Sequence, residues 1–224
     1  MELSENTLTV LKNFASINAN IVMREGNVLK TVSEAKNLLA SATILEDIPM
    51  TVGVYDLNEF LGVLGLVDTP RVDWKDTHVI VSDSSGRSKI KYFYSDIDML
   101  TSPSKDITMP SVDVKFVLDN DVLNKIKRAA SALHLTELDI SGNNGVITLS
   151  VVDSANATSN TFSIDVDGEF SSENFNFILN ISNLKMLPGN YEVEISSKLI
   201  SHFTNTENKA QYWIALEKTS TYGE

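Results

Sequence analysis

At 224 residues and 42% hydrophobic, the chain has room for two domains of common size, each able to bury a core of its own. It contains no cysteine, which excludes disulfides, thiolate metal sites and a cysteine nucleophile, and no apolar run of about 18 residues, so no membrane span is expected. The formal net charge of −12 argues against a partner held by a strong basic field, although the placement of the 18 Lys and Arg residues decides this more than their total does.

Met1-Glu2-Leu3-Ser4-Glu5-Asn6 lacks the basic start and apolar stretch of a signal peptide, so residence in a cytosol is expected. An amphipathic helix follows over about 5–17, with Leu8, Leu11, Phe14 and Ala15 inward, Thr9, Asn13 and Ser16 outward, and Lys12 on the border. A hairpin is predicted across Gly26-Asn27, then strands near 38–46 and 50–55 and a short helix over 57–66 capped by Asp56. Strands near 78–82 and 88–94 are separated by the turn residues Asp83-Ser84-Ser85-Gly86. Residues 97–112 hold two of the five prolines and neither a helical nor a strand period. They read as a linker, giving a first domain over 1–97, a linker over 98–112 and a second domain over 113–224.

The second half repeats the order. A strand over 114–118 leads into a helix over 121–133, a hairpin across Asn143-Asn144-Gly145, and strands near 160–166 and 175–179. A short helix over 181–187, stopped by Pro188-Gly189, and strands to 216 complete it. The two strand-to-helix junctions, Val54-Tyr55-Asp56-Leu57 and Ile178-Leu179-Asn180-Ile181, sit one domain length apart and mark an internal duplication, a pattern suited to a ring or array. On the helix from Asp121, Val122, Ile126, Ala129, Ala130 and Leu133 share an arc of roughly 100 degrees. Asn124 and Arg128 point away from it, and Lys125 and Lys127 flank it. Neither long helix carries an acidic residue on its outer face beyond the first turn. Such faces read as ordinary solvated surface with charge that suits the helix dipole, yet the local absence of acid stands out in a chain with 30 Asp and Glu.

Motifs for chemistry fail on spacing. Ser163-Ile164-Asp165-Val166-Asp167-Gly168 resembles half a calcium loop, but its first ligand position is Ser and its twelfth is Asn174, and the alternation of Phe162, Ile164 and Val166 reads as a strand. Gly86-Arg87-Ser88-Lys89 lacks the spacing of a phosphate-binding loop, and His78, His134 and His202 share no ligand spacing. No nucleophile elbow is present. The chain is read as a non-enzyme with neither cofactor nor metal.

Longer segments carry a resemblance. Leu11-Lys12-Asn13-Phe14-Ala15-Ser16-Ile17-Asn18, Tyr55-Asp56-Leu57-Asn58-Glu59-Phe60-Leu61-Gly62, Asn174-Phe175-Asn176-Phe177-Ile178, Lys185-Met186-Leu187-Pro188-Gly189-Asn190-Tyr191 and Ala215-Leu216-Glu217 occur in order along the whole chain. Together they resemble the DNA polymerase sliding clamps of T-even-type bacteriophages. The resemblance implies an α+β fold of two tandem DNA-clamp domains, with antiparallel sheets outside and helices inside, closing as a homotrimeric ring. It implies a clamp that encircles double-stranded DNA without sequence specificity, tethers the replicative DNA polymerase and is placed by a clamp loader in the cytoplasm of the infected bacterial host. Lys12, Lys125, Lys127, Arg128 and Lys185 would then face DNA. The strand containing Lys89, Lys91, Tyr92 and Phe93 would meet the strand containing Phe162, Ile164, Asp165 and Asp167 of the next chain. Ile107, Met109 and Pro110 of the linker, with Trp213, Ile214 and Leu216 of the final strand, would line a pocket for partner peptides, although Tyr212-Trp213-Ile214 must in part pack in the core whatever the function. Two other classes stay open. A non-enzymatic β-rich structural or adaptor protein of a virion would share the acidity and strand content, and a small hydrolase would show turnover and a titrating pair of acids.

Overall fold

The computed structural model describes residues 1–103, 105–143, 145–156, 158–171 and 174–223, with the backbone alone at 143. The chain divides into two units, Met1–Asp106 and Ile107–Glu224. None of the described helices is long and apolar enough to cross a membrane.

The first unit opens with α1 (Glu5–Ile17), followed by β1 (Ile21–Met23), β2 (Gly26–Val32), β3 (Leu38–Ile48), β4 (Val52–Val54), α2 (Leu57–Leu64), β5 (Arg71–Trp74), β6 (His78–Ser82) and β7 (Lys89–Phe93). Ile97–Met99 forms one turn of 3-10 helix. Thr7, Val10, Leu11, Phe14 and Ile17 are the buried stripe of α1, which packs on β2, β3 and α2. Phe14 is fully enclosed, and truncating such a ring to Ala costs about 3–5 kcal/mol. β1 pairs with β4, β2 with β3, and β5, β6 and β7 form an antiparallel sheet with β6 central. Gly53 of β4 lies so close to Ser95 and Leu100 that a Cβ would stand 2.7 Å from the Ser95 carbonyl oxygen. Only glycine fits there.

Two features depart from the sequence expectation. Gly26-Asn27 is no hairpin turn: Gly26, at φ +105°, pairs with Ile48 and begins β2. The turn between β2 and β3 lies at 33–37, where the Ser33 hydroxyl accepts from the backbone N–H of Asn37 (3.2 Å) and Leu38 (3.1 Å) and Lys36 adopts φ 57°. The register then jumps. Val28 pairs with Thr43, so Asn27 alone stands opposite Ile44, Leu45, Glu46 and Asp47, a bulge in β3. β5, the second departure, follows Pro70 as a short run in which Val72 is buried between exposed Arg71 and Asp73.

The second unit begins with β8 (Val114–Leu118) and α3 (Asn120–Leu133), then β9 (Glu137–Asn143), β10 (Val146–Val152), β11 (Phe162–Val166), β12 (Gly168–Phe170), β13 (Phe175–Asn180), β14 (Tyr191–Ser196), β15 (Ile200–Asn205), β16 (Gln211–Ala215) and β17 (Thr221–Tyr222). Of the turn expected at Asn143-Asn144-Gly145, Asn144 lies outside the described residues. One antiparallel sheet runs β11-β10-β9-β13-β17 and another β12-β8-β14-β15-β16. α3 packs on β10 and β11. Its entrance is held by reciprocal amides, the Asn190 side chain accepting from the Asn120 N–H (2.8 Å) and the Asn120 side chain from the Gly189 N–H (3.0 Å).

The helix expected over 181–187 is a 3-10 turn of three residues, Ile181–Asn183. Asn180 does cap it, accepting from the Ser182 N–H (3.0 Å). Beyond it the backbone is claimed by tertiary partners: buried Tyr212 Oη accepts from the Leu187 N–H (3.1 Å), and buried Tyr191 donates to the Leu187 carbonyl (2.5 Å). Pro188 forbids continuation. Burial pushes the Tyr191 hydroxyl up to about 12, so it remains a donor across the neutral range.

The β3 bulge carries Glu46 to the start of α1, where its carboxylate accepts from the Ser4 N–H and the Thr7 hydroxyl, while Ser4 Oγ accepts from the Thr7 N–H (3.2 Å). Burial opposes ionisation of Glu46, but these hydrogen bonds outweigh it and hold its pKa below the ordinary value. Because the folded-state pKa is depressed, the stabilisation is complete above the unfolded value and is lost as pH falls through the folded one. Glu46→Gln should therefore cost about 1 kcal/mol in urea denaturation at pH 7. The gap between the two proteins should close as pH is lowered below 4.5. A gap independent of pH would mean that packing, and not the carboxylate charge, matters there.

Candidate functional site

Burying one stripe of a helix decides which side chains remain in water. On α1 the exposed residues Glu5, Thr9, Lys12 and Ser16 lie opposite the buried stripe, so Lys12 is central on the outer face and not at its border. The Thr9 and Ser16 hydroxyls donate to the carbonyls of Glu5 (2.8 Å) and Asn13 (2.6 Å). On α3 the buried residues are Leu123, Ile126 and Ala130, while Val122, Ala129 and Leu133 are half-buried. The opposite face exposes Asp121, Asn124, Lys125, Arg128 and Ser131. Lys127 lies between the faces, half-buried, and burial lowers its pKa. Among the described residues none of Lys12, Lys125, Lys127 and Arg128 joins a salt bridge. Lys185 is exposed between buried Leu184 and Met186, just past the 3-10 turn.

β7 and β11 are edge strands, each hydrogen-bonded to one neighbour among the described residues. An unpaired edge presents free N–H and C=O groups to any strand that can pair with it. Along β7, Lys89, Lys91 and Phe93 are exposed and Ile90 and Tyr92 half-buried, with Lys91 Nζ 4.7 Å from the Phe93 ring centroid. Phe93 keeps 62% of its surface in solvent, large for an aromatic ring on a strand edge. Tyr92 instead turns inward, its ring 5.2 Å from that of Phe60 and its hydroxyl donating to the Asp56 carbonyl (3.3 Å). On β11 the pattern is reversed in sign. Ser163 and Asp165 are exposed, as is Asp167 just beyond the strand, while Phe162 and Ile164 are half-buried. Asp165 accepts from the Thr148 hydroxyl (2.7 Å), which fixes its orientation. The segment that resembles half a calcium loop is thus extended chain, divided between β11 and β12.

The residues expected to line a peptide pocket are split by β16. Ile214 is buried on its inner face, as is Leu216 just past its end, and Trp213 is half-buried on the other face. Trp213 stacks on His202 at 4.7 Å and 12°. His202 in turn meets Glu194 (3.5 Å) and Gln211 (3.1 Å), and Glu194 meets Lys115 (3.6 Å). This polar row, running across β8, β14, β15 and β16 in register, was not read from the sequence, because cross-strand neighbours become visible only once the register is known. Ile107 and Met109 are half-buried and Pro110 exposed.

With this geometry in place, comparison with known proteins is direct. The family described as gp45 sliding clamp, C terminal, matches residues 115–218, and the family described as DNA polymerase processivity factor matches residues 4–99. The sliding clamp of Enterobacteria phage T4 is 33% identical over 230 residues, and that of Escherichia phage RB69 is 30% identical over 230; each alignment covers 99% of both proteins. Among solved structures, that of A. fulgidus PCNA with the C-terminal region of FEN-1 bound aligns with a TM-score of 0.70 at 14% identity, over 100% of this chain and 98% of that one, a likeness of fold. The chain belongs to the phage sliding-clamp family, the processivity factors that encircle duplex DNA and tether the replicative polymerase to it.

Proposed function

We propose that three copies of the chain close head to tail into a ring, β7 of each beside β11 of the next, and that residues 98–112 link the two clamp domains of each copy. The complementary edges carry this reading. One is unpaired and basic with an exposed Phe93, the other unpaired and acidic. A head-to-tail contact that closes pairs every such edge and leaves none for aggregation. Lys12, Lys125, Lys127, Arg128 and Lys185 turn toward the duplex and meet phosphates, which carry no base sequence, so the hold is weak and movable. A clamp loader of the host-phage replication machinery opens the ring in the cytoplasm of the infected bacterium. The protein itself catalyses nothing.

In the solved A. fulgidus PCNA structure the C-terminal region of FEN-1 is bound. By analogy the C-terminal tail of the replicative polymerase docks here beside the linker residues Ile107, Met109 and Pro110 and the outer face of β16. Trp213, half-buried on that face, is then the contact, and Ile214 and Leu216 support the strand from the core.

At micromolar concentration, sedimentation should give three times the chain mass, and a monomer at every concentration would refute the ring. Lys89→Glu with Lys91→Glu should weaken the trimer by about 0.2–1 kcal/mol per pair, and adding Asp165→Lys with Asp167→Lys should restore it. Absence of rescue would place the contact elsewhere.

Replacing Lys12, Lys125, Arg128 and Lys185 together by Glu should leave the trimer whole but reduce loading onto primed circular DNA, most at low salt. Undiminished loading would remove these residues from the DNA path. The C-terminal peptide of the polymerase should change Trp213 emission, by disturbing its stack on His202, and leave Trp74 emission unchanged in single-Trp variants. Saturable binding without a Trp213 response would put the client on another surface.

A further inference from the structure

A cavity of 440 Å³ lies within the first unit, lined by β1, β2 and the chain just before Ile107. Its size is in the range that takes a small molecule or the end of a peptide. Val22 and Val28 give it an apolar surface, and around them stand the cations Arg24, Lys30 and Lys105 and the carboxylates Glu25 and Asp106. Val28 keeps 42% of its surface in solvent, an apolar area that a bound side chain would cover. One wall is held in place. The Asn20 side chain accepts from the Thr101 N–H (3.1 Å), and Arg24 donates to the Ser102 hydroxyl (3.4 Å). Lys30 is already taken, because the Asp106 carboxylate pairs with it. Arg24 and Lys105 are exposed and, among the described residues, neither joins a salt bridge. The cavity thus holds one cation matched by a carboxylate of the chain itself and two that are not.

We propose that Arg24 and Lys105 seat the free α-carboxylate at the C-terminus of a client protein, with the client's last side chain laid against Val22 and Val28. The inference rests on the reading that clients present C-terminal tails, and adds to it a site in the first unit that reads the end of the tail, whereas Trp213 belongs to the second. A guanidinium supplies a planar fork for the two oxygens of a carboxylate, and the ammonium adds a point charge. The Lys30–Asp106 pair shows the same chemistry in the same cavity. A polyanion such as single-stranded nucleic acid would bring several phosphates against Glu25 and Asp106, so the two unmatched cations suit a single carboxylate on an apolar residue. β2 is hydrogen-bonded to β3 alone among the described residues, so its other side is free to pair with the backbone of an extended tail.

The test uses the C-terminal peptide of the polymerase in two forms, one ending in a free carboxylate and one in a carboxamide. Each is titrated calorimetrically into the whole protein, and Trp213 emission is followed in the same protein carrying Trp74→Phe. The free acid should bind about tenfold more tightly than the amide, the difference expected of one charge-assisted contact. Arg24→Gln with Lys105→Gln should abolish that difference and leave the affinity of the amide unchanged. Lys125→Gln with Arg128→Gln, an equal loss of charge on α3, should preserve it. All four side chains are exposed, so neither double variant should disturb the core. Equal affinity of the two forms, with a Trp213 response, would overturn the seat and leave client docking intact. A preference for the acid that survives Arg24→Gln with Lys105→Gln would overturn it as well, by placing carboxylate recognition elsewhere. Equal weakening of both forms in that variant would mean that the cations read an acidic side chain of the tail and not its end, against the proposal. No saturable binding of either form would overturn the seat together with the client reading on which it rests.

Discussion

The narrow buried stripe on each long helix is the constraint from which the functional surface follows. α1 commits five positions to the first unit's core and α3 commits three to the second's. With the helix rotation fixed, the remaining side chains have no choice of face. Lys12, Lys125 and Arg128 are exposed because they lie away from the buried stripe, and the helical period prevents the two sets from facing the same way. The same constraint explains why Glu46 matters. Its carboxylate ties the first turn of α1 to the β3 bulge, so the helix is fixed at its N-terminus as well as along its side.

The sheets impose a different condition. A strand at the end of a ladder exposes backbone groups whatever its side chains, and β7 and β11 end their sheets in this way. Their side chains then decide what can pair with them. Exposed Lys89 and Lys91 repel a second β7, and exposed Asp165 and Asp167 repel a second β11, so like edges are kept apart while unlike edges are free to meet. The ring and hydroxyl of Tyr92 are engaged by Phe60 and Asp56 within its own unit.

Where local pattern and tertiary structure agree, the sequence was legible. The strand over 114–118, the helix from residue 5 to 17 and the Asp56 cap follow from alternation, period and capping chemistry. The failures have identifiable physical causes. The hairpin turn was assigned to Gly26-Asn27 because glycine invites a turn, but the Ser33 hydroxyl organises the real one and Gly26 serves an irregular strand pairing. The helix after Asn180 was cut short by two tyrosines from distant strands that claim the backbone of Leu187. On α3, leaving Leu123 out of the inward set moved the apparent centre of the stripe, so that Lys125 and Lys127 read alike as residues flanking it. With Leu123, Ile126 and Ala130 as the core, Lys127 stands only about 70° from the centre and Lys125 about 130°. One omitted leucine hid the difference between two neighbouring cations.

The net charge of −12 fits this arrangement once its distribution is considered. A duplex held only by electrostatic attraction would require many fixed cations, and each additional phosphate contact would steepen the loss of affinity with salt. A ring that surrounds its duplex needs no such affinity, since leaving requires breaking the ring. The outer face of the sheet ending in β11 carries Glu137, Asp139 and Asp165 among serines and threonines, with Asn176 beside Asp139. Burial raises the pKa of Asp139, and the acidic side chains around it make that surface unfavourable for phosphate. The acidic surplus therefore discourages DNA from settling on that sheet, and in the proposed ring the cations of α1 and α3 need supply little affinity of their own.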